Sequence, residues 1–333
     1  MIERLELENF TAFDKLDMKF SPGINIIIGE NGTGKTHVLK LLYATSGYDQ
    51  STVLEKVVGV FMPEGANIGR LVSITSKVSE SSITTTINGD SETLRILKNK
   101  NLKAMHHSHE ISNEGLTDAV FIPVKEFLSH AQGFLSLYDN RAIHFDETYR
   151  DLLSKASLPP LRNIENNTLK EIADKIEKEI GGKVIEKNGM FFLKTDNGEI
   201  EFDLLAEGTS KLGLIWLLIK NGSLQQGSTL FWDEPEANIN PSSLGLVVDV
   251  MLELQRQGVQ IFLATHNYLL LKWFELKRNN KDEISFFSLN RDQENNEIRV
   301  ANGRAYLDAF PNKIADAYDS AFNEEMSKSL RGR

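Results

Sequence analysis

"INIIIGENGTGKTHVLKLLYAT", residues 24–45, decides how the rest of the chain is read. Four of the first five residues are isoleucine, the pattern of a strand buried on both faces in the middle of a parallel sheet. Residues 37–45 have the spacing of a helix. Between them, Gly29-Glu30-Asn31-Gly32-Thr33-Gly34-Lys35-Thr36 fits G-x-x-x-x-G-K-[ST] at every fixed position. Glycines let a backbone wrap closely, so that successive N–H groups point at phosphate oxygens. The helix that follows adds the positive end of its dipole. Glu30, Asn31, Gly32, Thr33, Gly34, Lys35, Thr36 and His37 are therefore the expected phosphate cradle. Lys35 would reach the β- and γ-phosphates, and the Thr36 hydroxyl would bind Mg²⁺.

Such a loop needs a carboxylate near its Mg²⁺, and "LFWDEPEANINP" (230–241) supplies two at the end of an apolar run. Asp233 is expected on a neighbouring strand as the second metal ligand. Glu234, one residue past the strand end, would take the proton of an attacking water. Without the loop at 29–36, these acids would read as a solvated strand-end turn.

Composition sets the outer bounds. The chain has 333 residues, 41% hydrophobic and 25% charged, which suits a globular protein with a real core. Its net charge of −10 argues against a generally basic nucleic-acid binder, though not against a local basic patch. Nucleic acid as a partner is thus not indicated by charge. With no cysteine, disulfides, thiolate chemistry and Cys-based zinc sites are excluded. The opening "MIERLELENF" alternates charged and apolar residues, unlike a signal peptide, and "LGLIWLLI" (212–219) is too short to span a membrane. A soluble, cytoplasmic protein is expected.

Around the loop, "RLELENF" (4–10) and "LDMKF" (16–20) predict an antiparallel pair. "VVGVF", "RLVSITSKV", "SITTTING" and "TLRIL", between 57 and 97, predict short strands of an antiparallel insertion with a hairpin near Asn88-Gly89. "AVFIPV" (119–124) predicts a buried strand, and 125–182 is mainly helical, with Ile172, Ile176 and Ile180 on one face. Strands joined by Asn-Gly turns fill 182–205. Beyond them come a helix at 209–220, a strand at 229–232, a helix at 243–257, a strand at 259–265, then two strands and a helix after 284. "HHSHE" (106–110) reads better as a polar loop than as a metal cluster. Phe10 and Phe13 read as core residues, with adenine stacking as the alternative.

The "DEP" at 233–235 resembles ABC-type ATPases rather than small GTPases. "LLAEGTSKLG" (204–213) is similar to the ABC signature segment, "EANINP" (236–241) to the D-loop, and "FLATHN" (262–267) to the strand carrying a switch histidine. These pieces stand in family order, and the resemblance spans almost the whole chain. It is closest to the SMC/RecF/OLD branch, in particular the short bacterial AAA-family ATP-binding proteins found with anti-phage defence systems; "GFLSLYDNRAIHFDETYRDLL" (133–153) looks like that subgroup.

The resemblance implies an α/β fold: a P-loop NTPase with an ABC-ATPase-type core, a mixed central sheet flanked by helices, a small antiparallel β insertion and an α-helical lobe. The core would comprise 1–56, 119–126 and 200–333, the insertion 57–118 and the lobe 127–199. It also implies ATP and Mg²⁺ as ligands, His266 at the γ-phosphate, and Gly208 and Thr209 facing the nucleotide of a second copy. The chain would work as a homodimer, or as a higher oligomer built from dimers, with a separate effector protein and no membrane. A RecF/SMC-like DNA clamp and an ATP-gated scaffold with little turnover are the competing expectations. Three departures from the family pattern stand out: Ala206, where many relatives carry serine, Asn240, where transporters carry aspartate, and the lack of a clear Q-loop glutamine. Lys125 or Glu126 falls where the family has its Q-loop.

Overall fold

The computed structural model describes residues 1–46, 53–74, 78–98, 105–107, 118–162 and 166–331. Strands β1 (Ile2–Phe10) and β2 (Phe13–Lys19) pair antiparallel, as their alternation predicts. β3 (Ile24–Gly29) follows, buried at all six positions. It leads through residues 30–34 into helix α1 (Lys35–Thr45).

The next segment differs from expectation. "VVGVF" ends a helix, α2 (Val53–Phe61), whose buried residues Val53, Lys56, Val57 and Val60 have helical spacing. A short apolar run fits a strand or a helix equally well; here the residues upstream complete the helical face. Of "RLVSITSKV" (70–78), Arg70 and Leu71 close a 3-10 turn over Ile68–Leu71 and Val72 makes a single bridge to Phe10, while residues 75–77 lie outside the described residues.

The hairpin itself is as expected. β4 (Glu80–Ile87) and β5 (Asp90–Leu97) join at Asn88-Gly89, both with positive φ, the geometry of a two-residue hairpin turn. β6 (Met105–His107) pairs with β5, so part of "HHSHE" lies in a short strand and the remainder outside the described residues. β4 also pairs with β1. The hairpin therefore extends the N-terminal pair into one antiparallel sheet, ordered β2-β1-β4-β5-β6.

β7 (Ala119–Ile122) is followed by α3 (Phe134–Asp139), α4 (Glu147–Ala156) and α5 (Asn167–Ile180). α5 starts on an Asn166 cap, buries Ile172, Ile176 and Ile180, and stops at Gly181 in the left-handed region. β8 (Lys183–Lys187), β9 (Met190–Thr195) and β10 (Gly198–Glu201) form a small antiparallel sheet. Next come α6 (Glu207–Lys220), β11 (Thr229–Asp233), α7 (Leu244–Arg256), β12 (Gln260–Thr265) and α8 (Tyr268–Lys277), the last outside the predicted elements. β13 (Ile284–Arg291), β14 (Ile298–Gly303) and α9 (Lys313–Arg331) complete the chain.

The central sheet runs β14-β13-β3-β12-β11-β7, parallel except for β14. Its inner strands β3, β12 and β11 are buried on both faces, and alternate residues serve different cores. Ile24, Ile26, Ile28, Val120, Ile122, Leu230, Trp232, Ile261 and Leu263 face the helices α4 to α8. Ile27, Phe121, Phe231 and Phe262 face α1, α2 and the antiparallel sheet. On that side Phe231 stacks on both strand neighbours, Phe121 at 6.4 Å and Phe262 at 5.1 Å. This registry fixes where the strands end. Gly29, Thr265 and Asp233 come to the carboxyl edge of the sheet together, where open α/β sheets bind ligands.

Candidate active site

Residues 29–34 wrap because three glycines supply positive φ: Gly29 at 151°, Gly32 at 78° and Gly34 at 89°. Gly34 has a second reason to be glycine. A Cβ there would lie 2.5 Å from the ring of Phe13. Phe13 and Phe10 are fully buried, which makes both core residues rather than base-stacking platforms. The loop is held from inside by the Thr33 hydroxyl, which donates to Glu30 O at 2.8 Å. The buried Lys35 ammonium donates to Gly29 O at 2.8 Å and Glu30 O at 3.0 Å. Burial lowers the Lys35 pKa, opposed by the charges of Glu234, Asp233 and Glu236. Asn31 and Gly32 are exposed at the tip. His37 is half-buried against Phe61 and bonded through Nδ1 to Thr11 Oγ1 at 3.0 Å; burial lowers its pKa.

Asp233 does not sit on the strand adjacent to the loop strand, as expected from sequence. β12 lies between β3 and β11. The helix after the loop closes the distance instead: the Thr36 hydroxyl donates to Asp233 Oδ2 at 2.8 Å. Burial pushes the Asp233 carboxyl up, and the Thr36 bond works against that. Two hard oxygen donors side by side, one a buried carboxylate, suit Mg²⁺.

Glu234 follows with φ 48°, its N–H bonded to Ala264 O at 2.8 Å. This unusual backbone turns the side chain to His266, whose Nδ1 is 3.0 Å from Glu234 Oε1. Gly208 and Thr209 begin α6, and a Cβ on Gly208 would meet Asn238 O at 2.9 Å and Ile239 Cα at 3.1 Å. Thus the structure brings Lys35, Thr36, Asp233, Glu234 and His266 to one edge, while the tip of α6 packs on the 238–239 turn.

Several residues in the site carry no expectation from sequence. Glu236 is buried; its Oε1 accepts from Thr265 Oγ1 at 2.6 Å, and burial raises its pKa. The buried Lys211 ammonium donates to Ala237 O at 2.6 Å, and Glu207 accepts from Asn238 Nδ2 at 2.6 Å. Both pairs join the signature segment to the turn after β11. Glu126, at the Q-loop position, takes part too: its N–H lies 3.4 Å from Glu207 Oε1. From the other side, Arg291 Nη2 donates to Gly32 O at 3.0 Å, and Lys313 pairs with Glu30 at 2.7 Å. For Glu236 and Lys211 the sequence signals are the doubled acid of "DEPE" and the lysine of "EGTSK"; Glu126 stands at the expected Q-loop position, and Glu30 and Gly32 in the expected cradle.

Residues 24–272 match the family model described as "AAA domain, putative AbiEii toxin, Type IV TA system". The chain belongs to this family. The matched region is an AAA domain built round the phosphate loop described above, and two further comparisons show what else the chain is similar to. A 42-residue stretch is 52% identical to the DNA replication and repair protein RecF of Halalkalibacterium halodurans, covering 13% of this chain and 11% of that protein. RecF of Streptococcus suis is 45% identical over 42 residues, 13% of this chain and 12% of RecF. The chain therefore matches only about a ninth of the length of these curated relatives. The fold is similar to an Smc head solved bound to the C-winged helix domain of ScpA, with a TM-score of 0.56, 14% identity, and 91% of this chain and 97% of that one covered. It is also similar to an Smc head domain with an extended coiled coil, bound to the C-terminal domain of ScpA from Pyrococcus furiosus, with a TM-score of 0.52, 12% identity and 99% of both chains covered. Among the described residues, no helix of this family member is long and apolar enough to cross a membrane, and no cluster of three His, Asp or Glu forms a further metal site.

Proposed function

We propose that the chain binds ATP with Mg²⁺ and hydrolyses it as a head-to-tail homodimer, and that its ATP state controls a separate effector protein in bacterial anti-phage defence. One arrangement carries the catalytic part of this reading: Thr36 bonded to Asp233, with the Glu234–His266 pair beside it on the sheet edge that bears the phosphate loop. In this assignment Glu30 to His37 hold the phosphates, Thr36 and Asp233 hold the metal, Glu234 accepts the proton of the attacking water, and His266 meets the γ-phosphate. Bound Mg²⁺ would neutralise charge on the β- and γ-phosphate oxygens. Gly208 and Thr209 face the nucleotide of the other copy, because in this family a signature segment serves the partner's site. The γ-phosphate then holds the halves together through charge-assisted hydrogen bonds from both chains, and its loss lets them part.

The division into a core, an insertion at 57–118 and a helical lobe at 127–199 belongs to the same reading. The lobe is the part that moves or meets a partner. It is tied to the helix of the phosphate loop by Lys40–Asp146 at 2.9 Å and by Tyr43 OH donating to Asp151 at 2.6 Å. Support for the defence role comes from the family description, which names a toxin of a toxin–antitoxin system. The identity to RecF favours a second reading, an ATP-driven DNA clamp; the net charge of −10 opposes it. A phosphate-release assay with and without Mg²⁺, run beside light scattering with ATP, tests the main reading. Mg²⁺-dependent turnover and an ATP-dependent dimer are expected. No turnover would leave an ATP-gated scaffold, and salt-sensitive DNA binding strengthened by ATP would favour the clamp.

A further inference from the structure

Helix α9 stands off the body of the protein while still carrying an apolar stripe. Its start is anchored at the sheet edge that bears the site. Lys313 pairs with Glu30 of the phosphate loop at 2.7 Å, and Ala315 is buried. Tyr318 stacks on Tyr268 with ring centroids 4.0 Å apart, and Tyr268 is two residues past His266. From Asp316 to Ser329 every residue is exposed. That stretch is about 20 Å of helix, a length that is marginal in water without packing. Yet Tyr318, Phe322 and Met326 recur at every fourth position along one face, each about half exposed. The charge beside them is acidic: Lys313 and Lys328 are engaged by Glu30 and Glu324, which leaves Asp316, Asp319 and Glu325.

A second exposed apolar patch lies on the signature side. Leu137 and Phe145 are exposed, with the exposed Arg141 between them in sequence. The acid nearest in sequence, Asp139, is turned to Arg150 at 3.3 Å. Phe145 packs on Phe127 at 5.2 Å. Phe127 follows Glu126, whose N–H lies 3.4 Å from Glu207 at the tip of α6. The patch thus belongs with the signature segment, and α9 with the phosphate loop. A head-to-tail dimer sets the phosphate-loop side of one copy against the signature side of the other, and two-fold symmetry repeats the contact. Stripe and patch then meet, apolar residues against apolar and the acidic flank against a guanidinium.

We propose that the α9 stripe is covered by a second copy of this chain. Each α9 docks on Leu137 and Phe145 of the other copy, with Asp316, Asp319 and Glu325 facing the other copy's Arg141. The helix is then an arm that holds the dimer closed beside the nucleotide. This rests on the nucleotide-sandwich reading above and adds to it a contact away from the phosphates.

The chain has no cysteine, so introduced single cysteines report proximity cleanly. Phe322→Cys and Leu137→Cys, each in the Glu234→Gln background and with tags of different mass, are mixed with ATP and Mg²⁺ and treated with a short bismaleimide. A mixed cross-linked dimer is expected, formed only with ATP. Phe322→Cys linked to itself without a mixed product means that α9 pairs with α9. No link at all, while light scattering shows the ATP dimer, leaves α9 to some other protein. Either result overturns the proposal. Affinity gives a second reading. Phe322→Ser/Met326→Ser should raise the Kd of the ATP dimer about tenfold or more, with ATP binding by the monomer unchanged. Arg141→Glu should raise it about tenfold, and adding Asp316→Lys, Asp319→Lys and Glu325→Lys should bring it back to within about threefold. A wild-type Kd in the serine variant, or charge effects that add instead of cancelling, refutes the docking. A Glu234→Gln protein that stays monomeric with ATP is a different result, since it removes the sandwich itself and takes the arm with it.

Discussion

The Thr36 hydroxyl donates to Asp233 Oδ2 across 2.8 Å, although the two residues are 197 positions apart in the chain. Nothing local brings them together. The strand pairing β3–β12–β11 sets the spacing, and the first turn of α1 spans the strand between. This contact joins the phosphate loop to the acids of β11, and each expected outcome below tests a part of that junction.

Lys35→Ala should abolish ATP binding, raising Kd by about a hundredfold or more, because the ammonium is the only cation the loop itself carries. Titration calorimetry measures the affinity, and circular dichroism should show the fold unchanged.

Asp233→Asn keeps the shape of the side chain and removes its charge. ATP affinity should lose most of its Mg²⁺ dependence, and kcat should fall by about two orders of magnitude. Affinities with Mg²⁺ and with EDTA separate this from a general loss of binding.

Glu234→Gln should bind ATP and fail to hydrolyse it, holding a nucleotide-bound dimer. Size exclusion with light scattering reads the mass. A protein that stays monomeric with saturating ATP would count against the sandwich.

Gly208→Ala places a methyl group 2.9 Å from Asn238 O and 3.1 Å from Ile239 Cα. Both are backbone atoms, so the α6 tip or the 238–239 turn must shift, at a cost of about 1–3 kcal/mol. Denaturant melts should show that loss. ATP-induced dimerisation should weaken more than ATP binding by the monomer.

Glu236→Gln should change stability in a pH-dependent way. Burial raises the Glu236 pKa above its ordinary value of 4.5. A raised folded-state pKa means that the fold favours the protonated acid. Its stabilising contribution is complete below the unfolded pKa and is lost as pH rises through the folded one. Relative to wild type, the variant should therefore gain melting temperature between pH 4.5 and pH 8, by about 1–3 °C. A difference that stays flat across that range would show Glu236 to be ionised in the fold at no cost.

Much of this site is legible in the sequence because its parts are short and local. The isoleucines of β3 announce a strand buried on both faces, and the glycines of 29–34 mark a loop that ordinary side chains could not form. Strand order is not written locally, and so the place of β12 between Asp233 and the loop had to come from the fold. "VVGVF" misleads for a related reason: the face it completes begins at Val53 and Lys56, and the partners of Lys56 are Glu147 at 3.0 Å and Asp151, some ninety residues on. Glu236 is invisible in the same way. On the page it is one more acid after a proline; only Thr265 and the packing around it reveal that it is buried.

The attachment of the last helix to the loop has a mechanical consequence. Arg291 grips the carbonyl of Gly32, Lys313 reaches Glu30, and Ser288 and Asn290 hold the Pro311 carbonyl just ahead of α9. A load applied along α9, whether from a bound protein or from an engineered fusion, would be felt first at the tip of the triphosphate cradle. Helix α9 is thereby a handle on the phosphate loop.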